Sequence, residues 1–146
     1  MNFFVPFMLL GLFKLLHLCW SDLKSLKVDE RHSTFMMGVV SLMFFVSGRL
    51  LELMVVLFVF SYFLSKIKEK KWLTGLGDGD VTIISWVLGG LWFFGWEYII
   101  IFMASYLLIF TYLHYFVTKK DSLPATIPIV IGFIIVSSAQ SIGVLI

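Results

Sequence analysis

Two stretches of this hydrophobic chain place aspartates at the ends of apolar segments. Asp22 follows the first apolar segment, and the glycine-rich stretch 74–80 delivers Asp78 and Asp80 to the start of a later one. An acidic side chain beside the hydrocarbon of a membrane is costly, so such a residue is by default a candidate functional residue. Two carboxyl groups held close together cannot both ionise cheaply, so one acts as general acid while the other activates water as general base. Asp22, Asp78 and Asp80 are therefore the candidate functional residues of the chain.

The glycine-rich stretch spells Gly-x-Gly-Asp twice, once ending at Asp78 and once at Asp80. We expect Asp80 to be the catalytic member, because it is contiguous with the following helix and has the more fixed position. Gly77 and Gly79 lack a Cβ and let a substrate backbone lie close, so with Asp78 they are the expected substrate-binding residues. Two structural alternatives stay open. Asp80 could cap a helix N-terminus, and Asp22 could form an exposed ion pair with a nearby lysine.

Other kinds of site fit the sequence less well. No Gly-Lys-Ser/Thr follows the glycines, which excludes a phosphate-binding loop, and Asp-Gly-Asp lacks the later ligands of a calcium loop. The single cysteine, Cys19, excludes an internal disulfide. His17, His32 and His114 are far apart in the sequence and show no zinc-ligand spacing. We therefore expect no metal and no cofactor and, with a net charge of only +2, no nucleic-acid partner.

The composition predicts a membrane protein. Of the 146 residues, 60% are hydrophobic and 14% are charged, and a water-soluble domain this apolar would expose large patches. At this length we expect one domain, residues 1–146, forming a helical bundle with little outside the bilayer. The first apolar run has no basic residues before it and no cleavage site after it, so we expect it to remain as a helix.

Six apolar segments stand out, and we expect each to cross the bilayer: 3–20, 34–47, 50–65, 80–94, 98–117 and 125–146. The second and fourth are shorter than the roughly 17 residues of a minimal crossing, so a re-entrant unit over 34–65 stays open. Six crossings are favoured, because lipid-exposed irregular backbone is excluded from the hydrocarbon.

Loop charges predict the orientation of these segments. The loops after the first, third and fifth segments carry nine Lys and Arg residues, whereas the other loops carry only Arg49. Basic loops stay in the cytoplasm, so both termini should face outward and the protein should be a multi-pass cell-membrane protein. The same orientation places Asp22 and Asp80 at the cytoplasmic face, at one membrane depth.

Lys14 is the one basic residue inside an apolar segment. It lies eight residues before Asp22 on roughly the same helix face, about 12 Å away. We expect it to reach the membrane interface or a wet bundle interior rather than to take part in catalysis. We expect His17 to be an ordinary interior or interfacial residue, and Gly89 and Gly90 to permit close helix packing.

Together these residues resemble the type IV prepilin and preflagellin peptidases, six-helix membrane aspartyl proteases of the Gly-x-Gly-Asp class. The likeness rests on Asp22 in Asp-Leu-Lys-x-x-x-Val and on Asp80 in Gly-Leu-Gly-Asp-Gly-Asp-Val. Residues 123–128, Leu-Pro-Ala-Thr-Ile-Pro, are similar to the family's proline-rich entry to the last helix. The sequence departs from the family at 28–30, where Val-Asp-Glu is nearer the archaeal pattern than Ile-Pro-Asn, and at Thr82, where a lysine is common.

The resemblance implies an aspartic-type endopeptidase in which Asp22 and Asp80 act jointly. Its substrate would be a pilin-like or archaellin precursor whose basic leader is removed from an apolar helix at the cytoplasmic face. The cysteine-rich loop of bifunctional bacterial members is missing, so no N-methylation is implied. The alternative is a non-enzymatic multi-span protein, such as a transporter subunit or an assembly scaffold. A transporter should place its acids near mid-bilayer in discontinuous helices. The oligomeric state stays open.

Overall fold

The computed structural model of the chain describes residues 3–25, 30–69, 78–117 and 126–141, and these residues are all-helical, without strands. The prediction of an all-α protein with six helices is confirmed for these ranges. α5 runs on into a short π-helical turn at Leu113–Val117. The helices are α1 Phe4–Ser25, α2 Glu30–Val46, α3 Leu50–Glu69, α4 Asp78–Phe94, α5 Trp96–Tyr112 and α6 Thr126–Ser141.

The turn between α2 and α3 is closed by a Schellman motif. The Arg49 N–H donates to the Phe44 carbonyl at 2.8 Å, and the Gly48 N–H donates to the Phe45 carbonyl at 3.0 Å. Gly48 adopts a φ of 70°, a left-handed conformation that glycine reaches without strain. The chain therefore reverses within three residues, as the short gap between the second and third apolar segments requires.

A single residue, Gly95, separates α4 from α5. Its φ is 151°, and a Cβ at this position would lie 2.6 Å from Glu97 Oε2. The backbone conformation favours glycine whatever the space around it, whereas the exposed Glu97 side chain could move away. The glycine therefore marks where α4 stops and α5 begins. The α2–α3 and α4–α5 connections are both short, so α2 packs beside α3 and α4 packs beside α5.

Contacts along α1 and α4 show that these helices are antiparallel. Phe4 contacts Phe94 with ring centroids 5.0 Å apart, and Gly11 lies against Trp86. The contacting residue numbers rise along α1 as they fall along α4. The last turn of α1 therefore lies at the same end of the bundle as the first turn of α4.

Helix α2 runs parallel to α4, and α6 runs antiparallel to α5. Phe44 contacts Phe93 at 5.1 Å, four residues beyond the contact between Val40 and Gly89. Tyr98 donates a hydrogen bond to Gln140 Oε1 near the beginning of α5 and the end of α6. We call the end formed by the last turn of α1 and the first turns of α2, α4 and α6 the aspartate end. The α2–α3 and α4–α5 turns lie at the opposite end.

The centre of the core is an aromatic cluster of Phe7, Trp86 and Phe133. Their ring centroids are 6.1–6.4 Å apart, and the rings meet edge to face. A Cβ on Gly90 would overlap the Phe7 ring, so this glycine is what allows α1 and α4 to approach closely. The expected packing role of Gly90 is therefore confirmed. Close van der Waals packing at small residues is what holds helices together in lipid.

Helix α1 is long and apolar enough to cross a membrane over Phe4–Lys24, with a mean hydropathy of 1.6. The other apolar helices within the described ranges are shorter, at 10–17 residues. Large apolar side chains are exposed on the outer faces of the bundle, including Trp20, Leu51, Phe58, Leu108 and Phe116. An outer surface this apolar is typical of proteins that associate with a membrane.

Candidate active site

Asp22 lies in the last turn of α1 with its carboxyl group turned into the bundle. Its side chain is only 7% exposed, and Thr126 Oγ1 donates a hydrogen bond to Asp22 Oδ2 at 2.7 Å. Thr126 is the first residue of α6 and is fully buried. The alternative of an exposed ion pair at Asp22 is therefore wrong, whereas the nearby Lys24 is exposed.

Thr126 also interacts with the partly buried Cys19 thiol, one turn before Asp22 on α1. The sequence analysis missed Thr126 as a site residue; the only signal was its position in the proline-rich segment 123–128.

Asp80 lies in the first turn of α4 and is also 7% exposed. The helix begins at Asp78, two residues earlier than the apolar segment predicts. The interpretation of Asp80 as a helix cap is therefore wrong, because the residue lies inside the helix. A carboxylate in the first turn of a helix is stabilised by the free N–H groups and the positive end of the helix dipole.

Tyr106 on α5 is a further polar residue toward the aspartate end. The α4–α5 hairpin turns at Gly95, so Tyr106 lies within about four residues of the depth of Asp80, roughly 6 Å along the axis. The hydroxyl oxygen is buried, and within the described residues it has no hydrogen-bond partner. Sequence analysis gave no signal for this residue, since one tyrosine in an aromatic-rich apolar segment is unremarkable.

The two carboxyl groups lie at the same end of the bundle on two helices that contact each other. The antiparallel register of α1 and α4, set by the Phe4–Phe94 and Gly11–Trp86 contacts, places Asp80 opposite residues 17–18 of α1. Asp22 is four to five residues further along α1, about 6–8 Å in depth. The two acids are therefore separated along the bundle axis by little more than one helical turn.

The predicted substrate-binding residues are only partly covered by the structure. Asp78 and Gly79 are the first two residues of α4, which places them directly before Asp80. Gly77 lies outside the described residues. Their predicted role in holding a substrate backbone stays a prediction.

The structure brings together two histidines that are distant in the sequence. The rings of His17 and His32 pack with centroids 4.3 Å apart, although the two residues are 15 positions apart in the sequence. Lys14 donates to His32 Nδ1 at 3.2 Å, and its ammonium group lies over the Phe35 ring. Lys14 is thus satisfied at the α1–α2 interface. The described part of the chain contains no group of three or more residues suited to hold a metal ion.

Glu52, an acid at the opposite end of the bundle, is exposed and paired with an arginine. Glu52 is exposed and accepts hydrogen bonds from Arg49 Nε at 3.0 Å and Nη2 at 2.5 Å. The hydrogen bond to Glu52 raises the pKa of Arg49. Arg49 Nη1 also donates to the Phe93 carbonyl at 3.0 Å, which ties the α2–α3 turn to the end of α4. The Arg49–Glu52 ion pair therefore has a structural role. The buried carboxyl groups of Asp22 and Asp80 lie at the aspartate end of the bundle.

No protein-family model, no curated protein and no solved structure matches this chain. The candidate site consists of two buried carboxyl groups, an alcohol and a phenol, contributed by α1, α4, α5 and α6. Such a set is suited to general acid–base catalysis of a hydrolytic reaction.

Proposed function

We propose that this chain is a membrane aspartyl endopeptidase in which Asp22 and Asp80 jointly activate a water molecule. The observation that carries the proposal is the burial of both carboxyl groups at one end of the bundle, each 7% exposed. A structural helix bundle does not need two buried acids from distant positions in the sequence. Buried acids that serve no purpose lower stability, since a buried charge is costly to keep.

The chemistry follows from the shared protonation of the pair. The ionised carboxyl group takes a proton from water as the water oxygen attacks the carbon of the scissile peptide. The protonated partner gives its proton to the carbonyl oxygen, and a tetrahedral intermediate forms. When the C–N bond breaks, the leaving nitrogen receives the proton that came from the water. Either carboxyl group can take either role, so we assign the two roles to the pair rather than to either member.

Six membrane crossings with the aspartate end in the cytoplasm form part of the proposal. The longest helix, α1, has 22 residues and the shortest, α6, has 16. Their lengths are about 33 and 24 Å. These lengths approach the roughly 30 Å hydrocarbon thickness of a bilayer. The exposed bases Lys24, Arg31 and Lys66 support the orientation, because they lie at or near the aspartate end.

The proposed substrate is a precursor protein with a basic leader followed by an apolar helix. Its apolar helix would lie in the bilayer beside the bundle, and the scissile bond would meet the aspartate end where leader and helix join. This arrangement matches the resemblance to the prepilin and preflagellin peptidases. It also explains why the acids stand at helix ends rather than in the middle of the bundle.

A transporter subunit is the rival proposal, and the depth of the acids argues against it. Asp22 is in the last turn of α1, and Asp80 is in the first turn of α4. Transporters bind their ions near mid-bilayer, where discontinuous helices supply backbone ligands. The described helices α1 and α4 are continuous through the middle of the bundle.

The test is cleavage of a leader-bearing precursor by the full chain reconstituted in lipid. Asp22→Asn and Asp80→Asn should each lower the cleavage rate by about 10²–10⁴-fold, the usual contribution of an acid–base group. Glu52→Gln is the matched control, since this acid is exposed at the opposite end, and it should cleave normally. Full activity of either aspartate variant would remove that residue from the mechanism.

A further inference from the structure

Two tyrosines on α5 differ in how their hydroxyl groups are satisfied. Tyr98 donates a hydrogen bond to Gln140 Oε1 at the opposite end of the bundle. Tyr106, eight residues later, is 4% exposed, and its hydroxyl has no hydrogen-bond partner among the described residues. Buried hydroxyl groups in native proteins are almost always hydrogen-bonded, so each exception requires an explanation.

The Tyr106 side chain is held in position by its aromatic neighbours. Its ring stacks on Phe102 with centroids 6.2 Å apart and on Phe110 with centroids 5.9 Å apart, at interplanar angles of 21° and 23°. A ring fixed on both sides keeps its hydroxyl at one place inside the bundle. By the geometry of the α4–α5 hairpin, that place is about one helical turn from Asp80 along the bundle axis.

A fixed, desolvated hydrogen-bond donor near a catalytic acid is suited to stabilise charge that develops during a reaction. We propose that Tyr106 is a third catalytic residue, whose hydroxyl donates a hydrogen bond to the carbonyl oxygen of the scissile peptide. This inference rests on the proposed function. The substrate then supplies the acceptor for the Tyr106 hydroxyl.

The role requires no proton transfer from the phenol. As water adds to the carbonyl carbon, negative charge builds on the carbonyl oxygen, and the carboxyl pair supplies the proton that this oxygen takes up. Tyr106 keeps its own proton and stabilises the charge through the hydrogen bond. The interaction is stronger in the transition state than with the neutral carbonyl, so it should act mainly on kcat.

Tyr106→Phe removes one oxygen atom and leaves the stacked ring in place. It should lower kcat by about 10²-fold or more, the loss typical of removing one oxyanion donor, with little change in KM. Thermal unfolding should be unchanged or shifted upward, because the deleted hydroxyl has no partner in the described fold. Unfolding can be followed by the reactivity of Cys19, the single cysteine of the chain.

Tyr98→Phe is the matched control, since it deletes the same atom from the same helix. It should lower the unfolding temperature, because it breaks the bond to Gln140, and it should leave kcat unchanged. Normal kcat in Tyr106→Phe overturns the inference. So does a loss of activity that only parallels a lower unfolding temperature, which would make the hydroxyl structural. The proposed function fails separately, by full activity of the Asp22→Asn or Asp80→Asn variants.

Discussion

Thr126 donates its hydroxyl hydrogen to Asp22 across the α1–α6 interface, joining residues 104 positions apart in the sequence. Asp22 lies near the C-terminal end of α1, where the helix dipole disfavours a negative charge. The buried hydroxyl offsets part of this effect through a hydrogen bond to the carboxylate. Asp80 lies at the opposite kind of helix end, the N-terminus of α4, where the dipole favours negative charge. The two acids of the candidate pair therefore have different electrostatic surroundings.

Removing the Thr126 hydroxyl should impair the site through Asp22. Thr126→Val keeps the shape of the side chain but leaves a buried carboxylate oxygen without its donor, which costs about 1–3 kcal/mol of stability. Cleavage should fall by roughly the same free energy, about 5–150-fold at 1.4 kcal/mol for each factor of ten. Thr126→Ser restores the hydroxyl and should recover most of the activity. Equal activity of the Val and Ser variants would show that the hydrogen bond does not position Asp22 for catalysis.

Asp78→Asn distinguishes the two Gly-x-Gly-Asp registers. If Asp80 is the catalytic acid and Asp78 meets the basic leader as proposed, Asp78→Asn should keep kcat and raise KM by a few fold. The physical reason is the loss of a charge attraction, which is modest for a pair at a membrane surface. Steady-state cleavage of precursors with basic and neutral leaders checks this, since the KM difference should vanish with the neutral leader. A kcat loss comparable to that of Asp80→Asn would assign catalysis to the other register.

The two candidate acids could be predicted from the sequence, because a charged residue next to an apolar run is energetically unfavourable and is recognised without knowing the fold. Asp22 and Asp80 stand out as charges next to apolar runs, and no knowledge of packing is needed to mark them. Thr126 and Tyr106 could not be found this way, because hydroxyl residues in apolar helices are common. Their partners are set by how α5 and α6 pack against α1 and α4, which a linear pattern does not contain.

Helix number was predictable, whereas helix bounds were less so. Each apolar segment corresponds to one helix, but α1 continues to Ser25, five residues past its apolar run, and α4 starts two residues before its own. Polar residues at helix ends still form backbone hydrogen bonds, so the apolar pattern marks only the apolar part of each helix and not its full length. The His17–His32 contact shows the same limit, since antiparallel packing brings together residues that spacing alone keeps apart.

Gly90→Ala should destabilise the bundle. The added methyl group would overlap the buried Phe7 ring, and such overpacking typically costs about 1–3 kcal/mol. Gly38→Ala on α2 is the matched control, because nothing lies within 4 Å of a Cβ there. That change should leave stability unchanged or raise it by up to about 1 kcal/mol through better helix propensity. Thermal unfolding in lipid nanodiscs measures both, and equal stability of the two variants would contradict close α1–α4 packing at Gly90.

The proposed orientation can be tested with cysteines at the two ends of the bundle. In a Cys19→Ser background, Lys24→Cys places a thiol at the aspartate end and Glu52→Cys places one at the opposite end, and both native side chains are exposed. A membrane-impermeant maleimide added to intact cells should label the Glu52→Cys variant and spare the Lys24→Cys variant until the membrane is permeabilised. This follows from the excess of basic residues in the loops of the aspartate end. Labelling of the Lys24→Cys variant in intact cells would place the two acids outside, where a leader that remains in the cytoplasm could not reach them.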